Sequence, residues 1–163
     1  MAQEGLHSLK IYRLKIDLSK SFDRVRWLYI QMLLTHLGFC YDFIKWIKAS
    51  LTTVSFVVLI NSSTSPFFTV GRGLRQGCHL SSFLFLLVAE WLSHFILEAK
   101  ALGSFKGIPI SEVLYITHLL FVDDIIIFCD GSPRDIIKLK EGLLLLQVAT
   151  SMVINDDKST ISY

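Results

Sequence analysis

Two adjacent carboxylates, Asp123-Asp124, sit inside the run Leu119-Leu120-Phe121-Val122-Asp123-Asp124-Ile125-Ile126-Ile127-Phe128, and no other feature narrows the fold as much. Apolar runs of this length read as buried β-strands. Ionised carboxylates beside a core are unfavourable unless they are paired or hold a cation. A distant segment, Leu14-Lys15-Ile16-Asp17-Leu18, repeats the theme with one acid at the end of an apolar strand. Three carboxylates on neighbouring strand ends make a site for divalent metal and for phosphoryl-transfer chemistry. The plainer reading of Asp123-Asp124 is a hairpin turn, where Asp is common, and the apolar flanks weigh against it.

The rest of the chain is consistent with a core piece of something larger. Hydrophobic residues make up 52% of its 163 residues and charged ones 18%, with a mean hydropathy of +0.53. That excludes a disordered chain and allows one domain spanning 1–163. The longest apolar stretch, Phe83 to Leu97, is broken by Glu90, Ser93 and His94 and reads as too short for a membrane span. The first ten residues carry no signal-peptide pattern. A net charge of +2 does not by itself announce a nucleic-acid binder. Cys40, Cys78 and Cys129 form neither a CxxC nor a zinc spacing.

Periodicity predicts a strand at 14–18, then a helix with Trp27, Ile30, Leu34 and Leu37 on one face, stopped at Gly38. A second helix is expected from Tyr41 to about Leu51. Val54–Ile60 and Pro66–Val70 read as a hairpin around Asn61-Ser62-Ser63. Gly71, Gly73 and Gly77 mark a loop whose backbone can approach a ligand closely. Ser81 or Ser82 is placed as the cap of a helix running to about Ala101. Two strands are expected over Tyr115–Phe128, bent around the acid pair, and the turn Asp130-Gly131-Ser132-Pro133 leads into a helix to Thr150 with Leu139, Leu143 and Leu146 inward. A last strand is placed at Ser159–Tyr163. This order predicts an α+β fold, one antiparallel sheet backed by helices.

Taken as a set, the motifs go further. Lys15-Ile16-Asp17-Leu18-Ser19-Lys20-Ser21-Phe22-Asp23, Gly73-Leu74-Arg75-Gln76-Gly77 followed by Leu80-Ser81, Phe121-Val122-Asp123-Asp124, and Ile154-Asn155 with Lys158-Ser159 stand in the order found in one family. The chain resembles the reverse transcriptase palm of non-LTR (LINE-type) retrotransposons, closest to plant elements, over nearly its whole length. The resemblance implies a polymerase palm whose fingers and thumb are largely missing from this chain. It implies an RNA-directed DNA polymerase fragment adding dNTP to a DNA primer on an RNA template, with two Mg²⁺ (or Mn²⁺) ions, in nucleus or cytoplasm.

By the same resemblance Asp17, Asp123 and Asp124 are the catalytic, metal-binding carboxylates, and Leu18 lends backbone to the metal and triphosphate. Phe22 lies under the incoming sugar, although a core position in its helix explains it as well. Gln76 and Gly77 line the nucleotide and template pocket. Lys158 stands near the pyrophosphate or is a plain surface lysine. Asp23 reads as a helix cap or ion-pair residue. Where the family has Asp-Pro-Leu-Ser-Pro after Gln-Gly, this chain has Cys78-His79-Leu80-Ser81-Ser82, which removes an acid anchor and two rigid prolines. Ser151-Met152 replaces a Gly-containing turn, a loss that matters if the turn needs positive φ. These departures motivate an alternative, a catalytically inactive relic that keeps the palm fold. A palm-like nucleotidyl cyclase is disfavoured by Gln76-Gly77, and a membrane-associated structural protein rests on hydropathy alone.

Overall fold

The computed structural model of the chain describes residues 12–111, 113–121 and 124–162. Its centre is strand β1 (Tyr12–Ser19), in which Ile16 and Leu18 are buried and the odd-numbered residues face outward. This alternation is what a half-buried strand requires. The chain continues through a short helix α1 (Ser21–Arg24), α2 (Trp27–His36) and α3 (Tyr41–Thr52). Two small ladders follow, β2 (Ser55–Phe56) with β5 (Phe68–Thr69), and β3 (Leu59–Ile60) with β4 (Ser63–Thr64). Then come α4 (His79–Ala101), β6 (Ile108–Pro109), β7 (Tyr115–Ile116), β8 (His118–Phe121), β9 (Asp124–Cys129), α5 (Pro133–Thr150), β10 (Val153–Ile154) and β11 (Thr160–Ser162).

The main sheet has five strands in the order β10-β1-β9-β8, with β11 also on β1. All its pairings are antiparallel, as expected. One face carries Ile16, Leu18, Ile125 and Ile127 into the core, where α4 and α5 cover them with Leu84, Phe85, Val88, Leu92, Leu139, Leu143 and Leu146. His118 ties β8 to α4, its Nε2 2.9 Å from Ser93 Oγ and its Nδ1 2.9 Å from Thr117 Oγ1. The opposite face of β1 and β9 is the one that carries Asp17 and Asp124.

Several elements differ from the sequence reading. The predicted helix after Ser19 is two helices, because Val25 is extended (φ −57°, ψ 123°) and the Arg26 N–H is taken by the Thr150 carbonyl. Leu37 is exposed rather than inward. No side-chain cap forms at the start of α1 or α2, so Asp23 does not cap the helix after it. Neither Ser81 nor Ser82 caps α4. Its N-cap is Cys78, and Ser81 is buried inside the helix. The helix is also longer than the apolar run suggested: by length and composition alone, its 23 residues could cross a membrane. Its buried face, however, is filled by the sheet and α5. Exposed apolar side chains are present, among them Phe56, Leu59, Ile60, Phe67 and Phe68 on the 55–70 hairpins.

The turn after α5 needs a left-handed residue. Ser151, its C-cap, has φ 64° and ψ 13°, a region that disfavours any residue with a Cβ by about 1–2 kcal/mol. Ser151→Gly removes that strain and loses part of the gain to unfolded-state entropy. We expect a net stabilisation of about 0.5–1 kcal/mol, read as a rise of about 1–4 °C in thermal midpoint by circular dichroism.

Candidate functional site

The pairing of β1 with β9 sets Asp17 directly opposite Asp124. Directly opposed side chains in an antiparallel pair stand on the same face, with Cβ atoms about 4.5–5.5 Å apart. Both residues are half-buried. Asp124 accepts an ion pair from Lys15, Nζ to Oδ1 3.1 Å. The backbone of Asp17 is held from the other side: its N–H donates to Ser159 Oγ at 3.2 Å, and its carbonyl accepts the Asn155 N–H at 2.8 Å. The Ile154-Asn155 and Lys158-Ser159 segment is therefore the brace of the first acid.

Asp123 lies outside the described residues. Among the described residues no group of three metal-ligating side chains forms. The donor set that is described, two carboxylates on one face of adjacent strands, is made of hard oxygens. It fits Mg²⁺ or Mn²⁺ in kind, since both are oxygen-seeking cations.

Leu18, the residue after Asp17 on β1, lines one cavity of about 350 Å³ with Phe22, Gln76 and Gly77, together with Lys20, Ser21 and Ser82. Two segments more than fifty residues apart in sequence, one with Leu18 and Phe22 and one with Gln76 and Gly77, thus meet at a single pocket. Phe22 takes the core position its helix predicts, its ring stacked on the fully buried Phe85 at 4.5 Å and 16°, and it also forms part of the pocket wall. Lys158 is exposed on the β10–β11 turn and is not among the residues lining this cavity.

The glycine-rich loop reaches the pocket because it is strapped to α1. The Leu74 N–H donates to the Phe22 carbonyl at 2.7 Å and the Gly73 N–H to the Val25 carbonyl at 2.9 Å. Trp27 Nε1 donates to the Gly73 carbonyl at 2.6 Å. Gly73 has φ +96°, and a Cβ there would stand 2.8 Å from the Asp23 carbonyl oxygen. Gly77 has φ +78°, so the chain can turn into α4. Gln76, exposed between these glycines, also lines a second cavity of about 670 Å³ with Trp27, Arg72, Arg75 and Leu80.

The junction of this loop with α4 explains one departure from the expected motif. Position 78 is the N-cap and position 79 the first helical residue, where Asp and Pro are favoured. Cys78 makes no capping hydrogen bond, although the Ser81 N–H and hydroxyl lower its thiol pKa. Restoring Cys78→Asp with His79→Pro is expected to stabilise the chain by about 1–2 kcal/mol. Urea denaturation would check this, and a lower midpoint than the parent's would refute it.

Three residues quoted in the motifs without a role of their own also stand at the site: Lys15, Ser159 and Lys20. Lys15 and Asp17 share parity along β1, a signal that places them on one face. Ser159 reaches Asp17 because the next residue, Thr160, pairs with Lys15 on β1.

Comparison with known proteins bears on all of this. The profile of the family described as Reverse transcriptase (RNA-dependent DNA polymerase) matches residues 3–163. A 149 kDa protein of transposon TX1 from Xenopus laevis is 29% identical over 153 residues, 93% of this chain and 11% of its own length. An uncharacterized mitochondrial protein of Arabidopsis thaliana is 43% identical over 67 residues, 40% of this chain and 55% of its own length. Telomerase from Candida albicans, solved with a fragment of telomeric RNA, superimposes with a TM-score of 0.69 at 13% identity, over 94% of this chain and 27% of that one. At that identity the likeness is one of fold. The chain thus spans about a tenth and about half of the two sequence relatives, and about a quarter of the structural one.

Proposed function

Because the chain belongs to the reverse transcriptase (RNA-dependent DNA polymerase) family, we propose that it forms a partial palm domain, residues 1–163, of a retrotransposon enzyme that adds dNTP to a DNA primer 3′-OH on an RNA template. The observation that carries this reading is the placement of Asp17 opposite Asp124, on strands leading to a cavity lined by Leu18, Phe22, Gln76 and Gly77. Phosphoryl transfer needs positioning and charge neutralisation more than covalent help, and cations held by these carboxylates would supply the neutralisation. Asp17, Asp124, the neighbouring Asp123 and the Leu18 backbone are the groups that would hold two Mg²⁺ or Mn²⁺ ions. Such ions, when bound, activate the attacking hydroxyl and neutralise the leaving pyrophosphate.

The pocket residues do the selecting. Phe22, stacked on Phe85, would present its ring to the incoming sugar and disfavour a 2′-OH. Gln76, at the lip shared by both cavities, is placed to hydrogen-bond nucleotide or template. Lys158 stays a surface lysine in this reading.

The second reading, an inactive relic, is favoured by the uncapped start of α4 at Cys78, which loosens the support of Gln76. Primer extension decides between them. The full chain is given a labelled DNA primer annealed to RNA, four dNTPs, and Mg²⁺ or Mn²⁺. Template-directed extension supports the polymerase. No extension from a chain with a cooperative thermal transition overturns it and leaves the relic.

A further inference from the structure

Lys15 has a place in the site that the polymerase reading does not use. Asp17 faces Asp124 and Lys15 faces Ile126, so Lys15 is the diagonal neighbour of Asp124 on the outward face of the sheet. Its ammonium stands 3.1 Å from Asp124 Oδ1. Like charges directly opposite one another destabilise a strand pair, and Lys15 supplies the positive charge that offsets the Asp17–Asp124 repulsion. A divalent cation on Asp124 would need the same carboxylate oxygens and would repel the ammonium beside it. We infer that Lys15 is a displaceable counter-ion of Asp124, holding the carboxylate while the metal position is empty and giving way to the entering cation, so that the ion pair and the bound metal exclude each other.

This rests on the divalent-cation reading above. The pair is suited to displacement because it is solvated: the side chains are 47% and 41% exposed, and such pairs are weak and screened by salt. The four-carbon stem of Lys15 lets the ammonium swing away without moving β1.

Binding of Mn²⁺ to the full chain without nucleic acid, followed by electron paramagnetic resonance of the free ion, tests the inference with no appeal to activity. Lys15→Met keeps the stem and removes the charge. It should tighten Mn²⁺ binding about three- to tenfold, the combined effect of a solvated ion pair that no longer has to be broken and of the screened repulsion from the displaced ammonium. It should also lower the thermal midpoint without metal and enlarge the rise on adding Mn²⁺. Arg13→Met is the control for a diffuse field, since Arg13 shares the face two residues farther along β1 and is occupied by Ser162 Oγ at 3.1 Å. Its effect should stay within about twofold, because charge interactions weaken with distance and screening.

Unchanged or weaker binding in Lys15→Met, or equal tightening in both variants, overturns the inference while the metal site stands, provided Asp124→Asn loses the ion. If the wild-type chain shows no saturable Mn²⁺ site that Asp124→Asn removes, the cation reading itself fails and the inference falls with it.

Discussion

Asp124→Asn is expected to leave the chain folded and to reduce metal-dependent primer extension by about 10³-fold or more, equivalent to about 4 kcal/mol of transition-state stabilisation. Asparagine keeps the shape and one oxygen but removes the charge that a divalent cation requires. The effect on stability is small for two reasons. The ion pair lost is the exposed one with Lys15, worth about 0.2–1 kcal/mol in such settings. The substitution also relieves the repulsion from Asp17 across the ladder. Asp17→Asn should fall as far in activity, and the double variant little further, because groups that serve one reaction centre do not contribute independently. Single-turnover extension on the RNA-templated primer, with circular dichroism on the same samples, is the measurement. An Asp124→Asn chain that keeps a tenth of parent activity would remove this carboxylate from the chemistry.

How much of this was legible beforehand depends on what kind of interaction fixes each part. Strand β1 was readable because Leu14, Ile16 and Leu18 alternate with polar residues, a local pattern that burial enforces. Helix α5 was readable for the same reason, and its start was marked by Ser132 and Pro133: Ser132 caps it, its Oγ accepting the Asp135 N–H at 3.2 Å, and Pro133 is its first residue. The break between α1 and α2 was not readable, because it follows from a bond between Arg26 and Thr150, partners far apart in sequence. The start of α4 was misplaced for a different reason. The residue at the N-cap is a cysteine, so the usual signal is missing and nearby serines took its place in the reading.

The site divides in the same way. Nothing in the local patterns around Asp17 and Asp124 says that they are register partners, and the order of motifs supplied that expectation. Lys15 was overlooked because a polar residue alternating with apolar ones reads as solvent-facing, and so it is. Its role comes from the acid across the ladder. For Phe22 the core reading is met by the stack on Phe85, and the same residue also lines the cavity, so local pattern alone does not separate a packing residue from a pocket residue.

The support of that cavity can be tested at its narrowest point. Gly73→Val is expected to destabilise the chain by about 3 kcal/mol or more, lowering the thermal midpoint by about 6–12 °C. At φ +96° a β-branched residue is outside its allowed backbone region, and the new Cβ would meet the Asp23 carbonyl oxygen at 2.8 Å with its carbon and Cα at 3.1 Å. The clash cannot be relieved by a side chain, because every atom it meets is backbone. Nor can the loop back away without giving up bonds, since Gly73 and Leu74 are tied to Val25, Phe22 and Trp27. Gly71→Ala is the control: a Cβ there meets nothing within 4 Å, and its effect should stay within about 0.5 kcal/mol. Differential scanning calorimetry reads the stability, and the emission of Trp27, whose indole N–H loses its partner, reports the loop. If Gly73→Val melts within 2 °C or so of the parent, well inside the shift that its strain requires, the strap between α1 and the glycine-rich loop is not what holds Gln76 at the pocket.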